Sequence, residues 1–219
     1  MIICVEGNIG AGKTSLLKHI EDHVTFKAPH IIALEPVDDW MNLRAGNDAK
    51  SLFEHYYDDK QRYGFMFQMY ALQTRFKHIL ELQKAHPDAI VLCERSHLTD
   101  SMIFANMLYE DGVISPIEHT VYKSWYDFAV QLIQPKIGGI IYLRVDPDVC
   151  AQRILKRNRM GEDHIDLKYL KTLHAQHEAW LMNGTTEVCV VDGNRPTCDT
   201  SAMVAYVNDK LSTIAVNNL

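Results

Sequence analysis

Apolar residues are arranged along the chain in two ways. Short unbroken runs occur at Ile2 to Glu6, Ile31 to Leu34, Ala89 to Cys93, Ile140 to Leu143 and Val188 to Val191, and turn-forming or charged residues close several of them: Gly7, Glu35-Pro36, Glu94-Arg95-Ser96 and Asp192-Gly193. Runs this short and this apolar suit strands covered on both faces, and the proline after Glu35 discourages helix just before it. Between them, apolar positions recur three and four apart. That spacing predicts helices over Thr14 to Ile20, Val121 to Gln134, Leu167 to Leu181 and Thr200 to Ile214, and a long helix preceded by a shorter one within Ser51 to Lys84. Short strands alternating with longer helices predict an α/β fold, a parallel sheet with helices on both sides.

Length and composition narrow this picture without changing it. At roughly one domain per ~150 residues, 219 residues make one domain spanning 1–219, with room for an elaborated lid. With 47% hydrophobic and 23% charged residues the chain can bury a core. Its net charge of −6 argues against a duplex nucleic-acid partner. Five scattered cysteines without metal-ligand spacing suggest a reducing compartment. No apolar stretch approaches the ~20 residues of a membrane span, and the chain enters its first strand directly, so the expected location is cytoplasmic.

Gly7-Asn8-Ile9-Gly10-Ala11-Gly12-Lys13-Thr14 fits the spacing GxxxxGK[ST] and lies between a predicted strand and a predicted helix, with Ser15 just inside that helix. Such a loop wraps backbone N–H groups around a phosphate chain. Lys13 is suited to the β- and γ-phosphates, and Thr14 offers a hydroxyl to Mg²⁺. A nucleoside triphosphate is therefore expected.

Three further groups speak to what is done with it. Glu35 ends the second strand, where ligands of open parallel sheets bind; its carboxylate could take a proton from a hydroxyl, and Trp40 could cover a flat ring. The same hexapeptide would also serve as a capped loop with a packing tryptophan. Glu94 and Arg95 end the third strand, suited to Mg²⁺ and to a transferred phosphoryl group, or to a structural ion pair. Arg153, Lys156, Arg157 and Arg159 put four cations within seven residues, before Met160-Gly161. They form either a solvated face or a lid whose guanidinium groups offset phosphoryl charge.

Taken together, GNIGAGKTS, EPVDDW at Glu35, FMFQMYALQTR around Gln68, ERSHLTDSMIFA at Glu94, RILKRNR from Arg153 and LKYLKTLHAQHEAWL from Leu167 closely resemble the deoxyribonucleoside kinases of the deoxycytidine, deoxyguanosine and mitochondrial thymidine kinase group. The resemblance implies the P-loop kinase three-layer sandwich, with a five-stranded parallel sheet and an arginine-rich lid at about 153–166. It implies transfer of the γ-phosphate of ATP to the 5′-hydroxyl of a deoxynucleoside, with Mg²⁺ held by Thr14 and Glu94. Glu35 matches the general base and Arg95 its partner. Lys13, Arg157 and Arg159 supply charge at the phosphoryl group, and Arg153 joins the nucleotide-binding loop in holding ATP. Tyr57 and Glu162 match the pair at the sugar 3′-hydroxyl, and Gln68 the amide that reads the base. Trp40, Phe67 and Phe104 match the walls around the ring.

Ala71, Arg75 and Asp100 resemble the deoxycytidine and deoxyguanosine branches, which favours those bases and deoxyadenosine over thymidine. The helices around Ser101 to Leu108 and Val121 to Leu132 resemble the family's dimer interface, so a homodimer is expected. The Arg195-Pro196-Thr197 stretch differs from the family's adenine loop. His174 and His177 lack a third ligand and are expected to pack rather than bind metal. Two competing readings are a nucleoside monophosphate kinase, in which Glu35 would repel the acceptor phosphate, and a nucleotide switch, for which the Asn-Lys-x-Asp motif is missing.

Overall fold

In the computed structural model, residues 1–159, 162, 165–184, 187–195 and 199–217 are described, with backbone alone from 213 onward. Parts of the expected lid (Met160, Gly161, Asp163 and His164), together with Pro196, Thr197 and Cys198, lie outside the described residues.

Strand β1 is Ile2–Glu6, and it sits at the centre of the sheet between β3 (Ile90–Glu94) and β4 (Ile137–Arg144). Adding β2 (His30–Ala33) and β5 (Val188–Asp192) gives the all-parallel order β2-β3-β1-β4-β5. Period-two alternation gives both faces of β1 an apolar set. Ile3 and Val5 join Leu17 and Ile20 of α1 (Lys13–His23) with Met203 and Val207 of α10 (Ser201–Asn217). Ile2 and Cys4 face the other way, onto Ile79 of α4 (Lys60–Ala85). Each aliphatic side chain so enclosed contributes about 1.5–3 kcal/mol of transfer free energy.

Local chemistry sets boundaries that apolar spacing leaves open. The aromatic stretch divides into α3 (Leu52–Asp58) and α4, because Ser51 and Glu54 form a reciprocal cap and Asp59 caps the Arg62 N–H. Between β2 and α3, the short helix α2 (Val37–Asn42) carries Trp40. After β3 come α5 (His97–Thr99), a π-helical segment over Asp100–Ala105 and α6 (Asn106–Glu110). Helix α7 (Pro116–Ile133) starts before the apolar spacing does, since Ser115 and Glu118 cap it and Pro116 occupies its first turn. Strand β4 runs back to Ile137, which pairs with Ile2 of β1, and Tyr206 crosses it so closely at Gly139 that a Cβ there would lie 2.6 Å from the phenol oxygen. Helix α8 (Pro147–Arg157) and helix α9 (Leu167–Leu181) complete the second layer. The carboxyl ends of β1, β2 and β3 thus deliver the glycine loop, Glu35 and Glu94-Arg95 to one edge of the sheet.

Candidate active site

The glycine loop closes tightly around its own lysine. Lys13 is buried, and its Nζ donates to the carbonyls of Gly7 (3.2 Å) and Asn8 (3.0 Å). Burial, with help from Arg95, lowers its pKa to about 8 against the pull of Glu94, Glu35 and Glu6. Gly10 has φ +76°, and a Cβ there would meet the Cys150 carbonyl at 2.6 Å and Ile154 at 2.8 Å, so the loop can seat on α8 only as glycine. Thr14 donates its hydroxyl to both Glu94 oxygens, at 2.8 and 3.1 Å. A hydroxyl beside a carboxylate is an oxygen donor set that fits Mg²⁺, with the rest of the shell left to phosphate and water. Among the described residues no group of three or more His, Cys, Asp or Glu assembles into a metal cluster.

Two cavities meet at Gly10, Lys13, Thr14, Glu94, Arg157 and Arg159. The larger, about 670 Å³, lies over Gly10, Ala11, Gly12 and Ser15 and is rimmed by Arg153, Arg157 and Arg159. Three residues of the loop, Gly7, Asn8 and Ile9, do not line the larger cavity. Gly7 lies beneath the loop and Ile9 faces the other cavity. The Asn8 side chain points away, donating to the Leu170 carbonyl (2.9 Å) and accepting from the Ile9 N–H (2.8 Å), so it shapes the loop. Arg153 lines the cavity, yet its two Nη groups donate to the carbonyls of Ala11 and Gly193, each at 2.7 Å. It braces the loop against the end of β5.

The smaller cavity, about 330 Å³, gathers all ten residues expected at the acceptor: Glu35, Trp40, Tyr57, Phe67, Gln68, Arg75, Arg95, Asp100, Phe104 and Glu162. Its floor is a chain of alternating charges. Asp100 Oδ2 lies 2.7 Å from Arg75 Nε, Arg75 bonds Glu35, and Glu35 Oε1 lies 3.3 Å from Arg95 Nε. Burial alone would raise the Glu35 carboxyl, but Arg75, Arg95 and Lys13 overcome it and hold the group at about 2. Asp100, more deeply enclosed and beside Glu35, is raised to about 6 by burial in spite of Arg75. The Arg75 guanidinium also lies over Trp40, 5.2 Å from the ring, and that of Arg95 over Phe104 at 5.0 Å.

The walls are aromatic and fixed. Trp40 Nε1 donates to Thr74 (2.9 Å), and its ring meets Phe67 edge-on at 5.5 Å. Gln68 Nε2 donates to the Asp100 carbonyl at 3.3 Å, which orients the amide. Glu162 is held by Arg157 at 2.6 Å and Arg159 at 3.6 Å, which ties the wall of the smaller cavity to cations shared with the larger one. The Arg75–Glu35 bond joins residues 40 apart and has no signature in the sequence. Tyr169, also in the wall and with Lys60 over its ring at 4.7 Å, escapes sequence reasoning, since a tyrosine at helical spacing reads as packing. His177 packs, fully buried, in parallel with Tyr142.

The comparisons agree with this geometry. A deoxynucleoside kinase family model matches residues 3–212. Deoxycytidine kinase 2 of Gallus gallus is 35% identical over 205 residues, covering 85% of this chain and 76% of its own. Mitochondrial deoxyguanosine kinase of Xenopus laevis is 33% identical over 201 residues (85% and 75%), and mitochondrial thymidine kinase 2 of Homo sapiens 33% over 184 (84% and 65%). With a matching model over nearly its whole length and relatives at 33–35% identity, the chain belongs to the deoxynucleoside kinase family.

Proposed function

We propose that the protein transfers the γ-phosphoryl group of ATP to the 5′-hydroxyl of deoxycytidine and purine deoxynucleosides in preference to thymidine, acting in nucleotide salvage. The observation that carries this reading is the buried chain Asp100–Arg75–Glu35–Arg95 in one cavity with Gln68. In the proposed reaction the 5′-oxygen bonds to the γ-phosphorus, the bond to the β-phosphate oxygen breaks, and Glu35 receives the hydroxyl proton. A carboxylate held near a pKa of 2 is a weak base, and the reaction asks little of it. In a loose phosphoryl-transfer transition state the proton leaves late, so Glu35 chiefly aligns the hydroxyl while Arg95 guides it. Lys13, Arg157 and Arg159 offset charge on the phosphoryl oxygens, and Mg²⁺ at Thr14 and Glu94 would neutralise charge between the β- and γ-phosphates.

Arg75 and Asp100 support the base preference, since a fixed guanidinium and carboxyl beside Gln68 suit a polar ring edge. Tyr57 and Glu162 take the sugar 3′-hydroxyl, and segment 153–166 closes over the phosphates as the lid of a single domain. A charged Glu35 disfavours a monophosphate acceptor.

A homodimer is part of the proposal. Ile117, Val121, Trp125, Phe128 and Leu132 form one apolar stripe along α7, with Ile117 and Leu132 each 70% exposed, beside the exposed Met102. The four free cysteines among the described residues suit a reducing compartment such as the cytoplasm, and no helix among those residues is long and apolar enough to cross a membrane. The test is steady-state phosphorylation of deoxycytidine, deoxyadenosine, deoxyguanosine and thymidine with Mg-ATP, with Glu35→Gln alongside. The first three are expected as good substrates, with Glu35→Gln slower by about 10²-fold through the lost alignment. A thymidine preference would overturn the base reading, and activity on monophosphates alone would overturn the acceptor.

A further inference from the structure

Glu6 is the last residue of β1, fully buried, and touches neither cavity. Its two carboxylate oxygens are both engaged by the loop that follows β3. Ser96 donates its hydroxyl to Oε1 at 2.7 Å, and Thr99 donates its hydroxyl to Oε2. The same Thr99 oxygen accepts the Ser96 N–H at 3.5 Å, so carboxylate, hydroxyls and backbone close into one knot.

The residue just before that knot is Arg95, which has φ +62° and so occupies a left-handed conformation that a long side chain rarely adopts. Arg95 is pinned on its other side as well, its N–H donating to the Val5 carbonyl at 3.0 Å. A conformation of this kind persists only where its surroundings over-determine it. Here they come from the end of β1: the Val5 carbonyl takes one side of the turn and the Glu6 carboxylate the other. The turn in turn sends the guanidinium between Glu35 and the Phe104 ring.

We infer that Glu6 is a positioning residue for phosphoryl transfer, holding Arg95 at the acceptor hydroxyl through Ser96 and Thr99. This rests on the reading that Arg95 acts at that hydroxyl. Because Glu6 lines neither cavity and acts through Arg95 on the acceptor side, its loss lowers kcat and leaves the KM for ATP within about threefold.

The experiment is a double-mutant cycle of Glu6→Gln and Arg95→Lys in the full-length protein, with kcat, both KM values and the thermal midpoint of every variant measured. Glu6→Gln is expected to lower kcat by about 10–100-fold, and the double variant to be no slower than Arg95→Lys within about threefold, because both changes disable one group. Thr99→Val, which removes one of the two hydroxyls and keeps the shape, is expected to lower kcat in the same sense and serves if Glu6→Gln does not fold. Independent, multiplying effects would overturn the inference, as would a Glu6→Gln enzyme of lowered thermal midpoint and unchanged kcat. Full turnover by Arg95→Lys would instead remove the reading beneath it, and the inference with it.

Discussion

Arg75 is the cation on which two buried carboxylates depend, and replacing it with methionine is the sharpest perturbation the site offers. The side chain is 5% exposed, and it contacts Asp100, itself 2% exposed, and Glu35 at 17%. Methionine fills much of the volume beside Trp40 but strands Asp100 without its cation and leaves Glu35 to Arg95 and Lys13. Deleting one partner of a buried ionic group costs about 3–5 kcal/mol, because the remaining charge is uncompensated. At ~2–4 °C per kcal/mol for a domain of this size, the thermal midpoint falls by about 6–20 °C. The loss depends on pH in a defined direction. Without the guanidinium both carboxyl pKa values rise, so at pH 7.5 the variant holds buried charge, whereas towards pH 5 the carboxyls take up protons and the gap to wild type narrows. The assay is urea unfolding followed by circular dichroism at fixed protein concentration, at pH 7.5 and pH 5.5, on wild type, Arg75→Met and Arg75→Met with Asp100→Asn. The double variant removes one stranded charge and regains part of the loss. A single variant within about 1 kcal/mol of wild type at pH 7.5, or a double variant no more stable than the single one, would refute the claim that the pairing balances buried charge.

Two other predictions rest on different parts of the molecule. Gly10→Ala drives a Cβ into the Cys150 carbonyl at a φ of +76°, so the KM for ATP rises at least tenfold while nucleoside affinity, measured by calorimetry without ATP, changes little. His177 is buried and neutral, its pKa lowered from 6.5 to about 3 chiefly by burial, with Arg95 adding to the effect. The stability it lends is complete above pH 6.5 and drains as pH falls towards 3, by up to ~1.4 kcal/mol per pH unit, because only the unfolded chain binds the proton. Urea titrations of His177→Leu between pH 7.5 and 5 therefore give a shallower slope than wild type; parallel slopes would contradict it.

What the sequence made legible follows from how local each signal is. The phosphate loop is contiguous, and Gln68 and Arg75 lie seven residues apart on one helix, so spacing alone puts both on one face. The strand ends bearing Glu35, Glu94 and Arg95 are marked by proline and charge beside apolar runs. The bonds that tune these groups are long-range. Glu35 and Arg75 are 40 residues apart, Glu6 and Ser96 are 90 apart, and no periodicity links them. Glu6 is further disguised as the polar end of a strand, although it is as buried as the valine before it. Arg153 has long-range partners of the same kind: it lines the larger cavity while its Nη groups donate to the carbonyls of Ala11 and Gly193, an arrangement that depends on how α8 leans on the loop.

The alternating charges under the acceptor cavity have a consequence for how the two substrates respond to salt. Two guanidinium groups and two carboxyls there neutralise one another, so a neutral nucleoside enters a floor with no net charge to be screened. Across Lys13 the balance tips: Arg153, Lys156, Arg157, Arg159 and Arg195 rim the other cavity, with Glu94 as its carboxylate. An acidic protein thereby keeps a local excess of positive field at the end of the site that receives a polyanion. Raising ionic strength weakens capture of the triphosphate and leaves the nucleoside nearly indifferent, so the order in which the two substrates load can shift with salt alone.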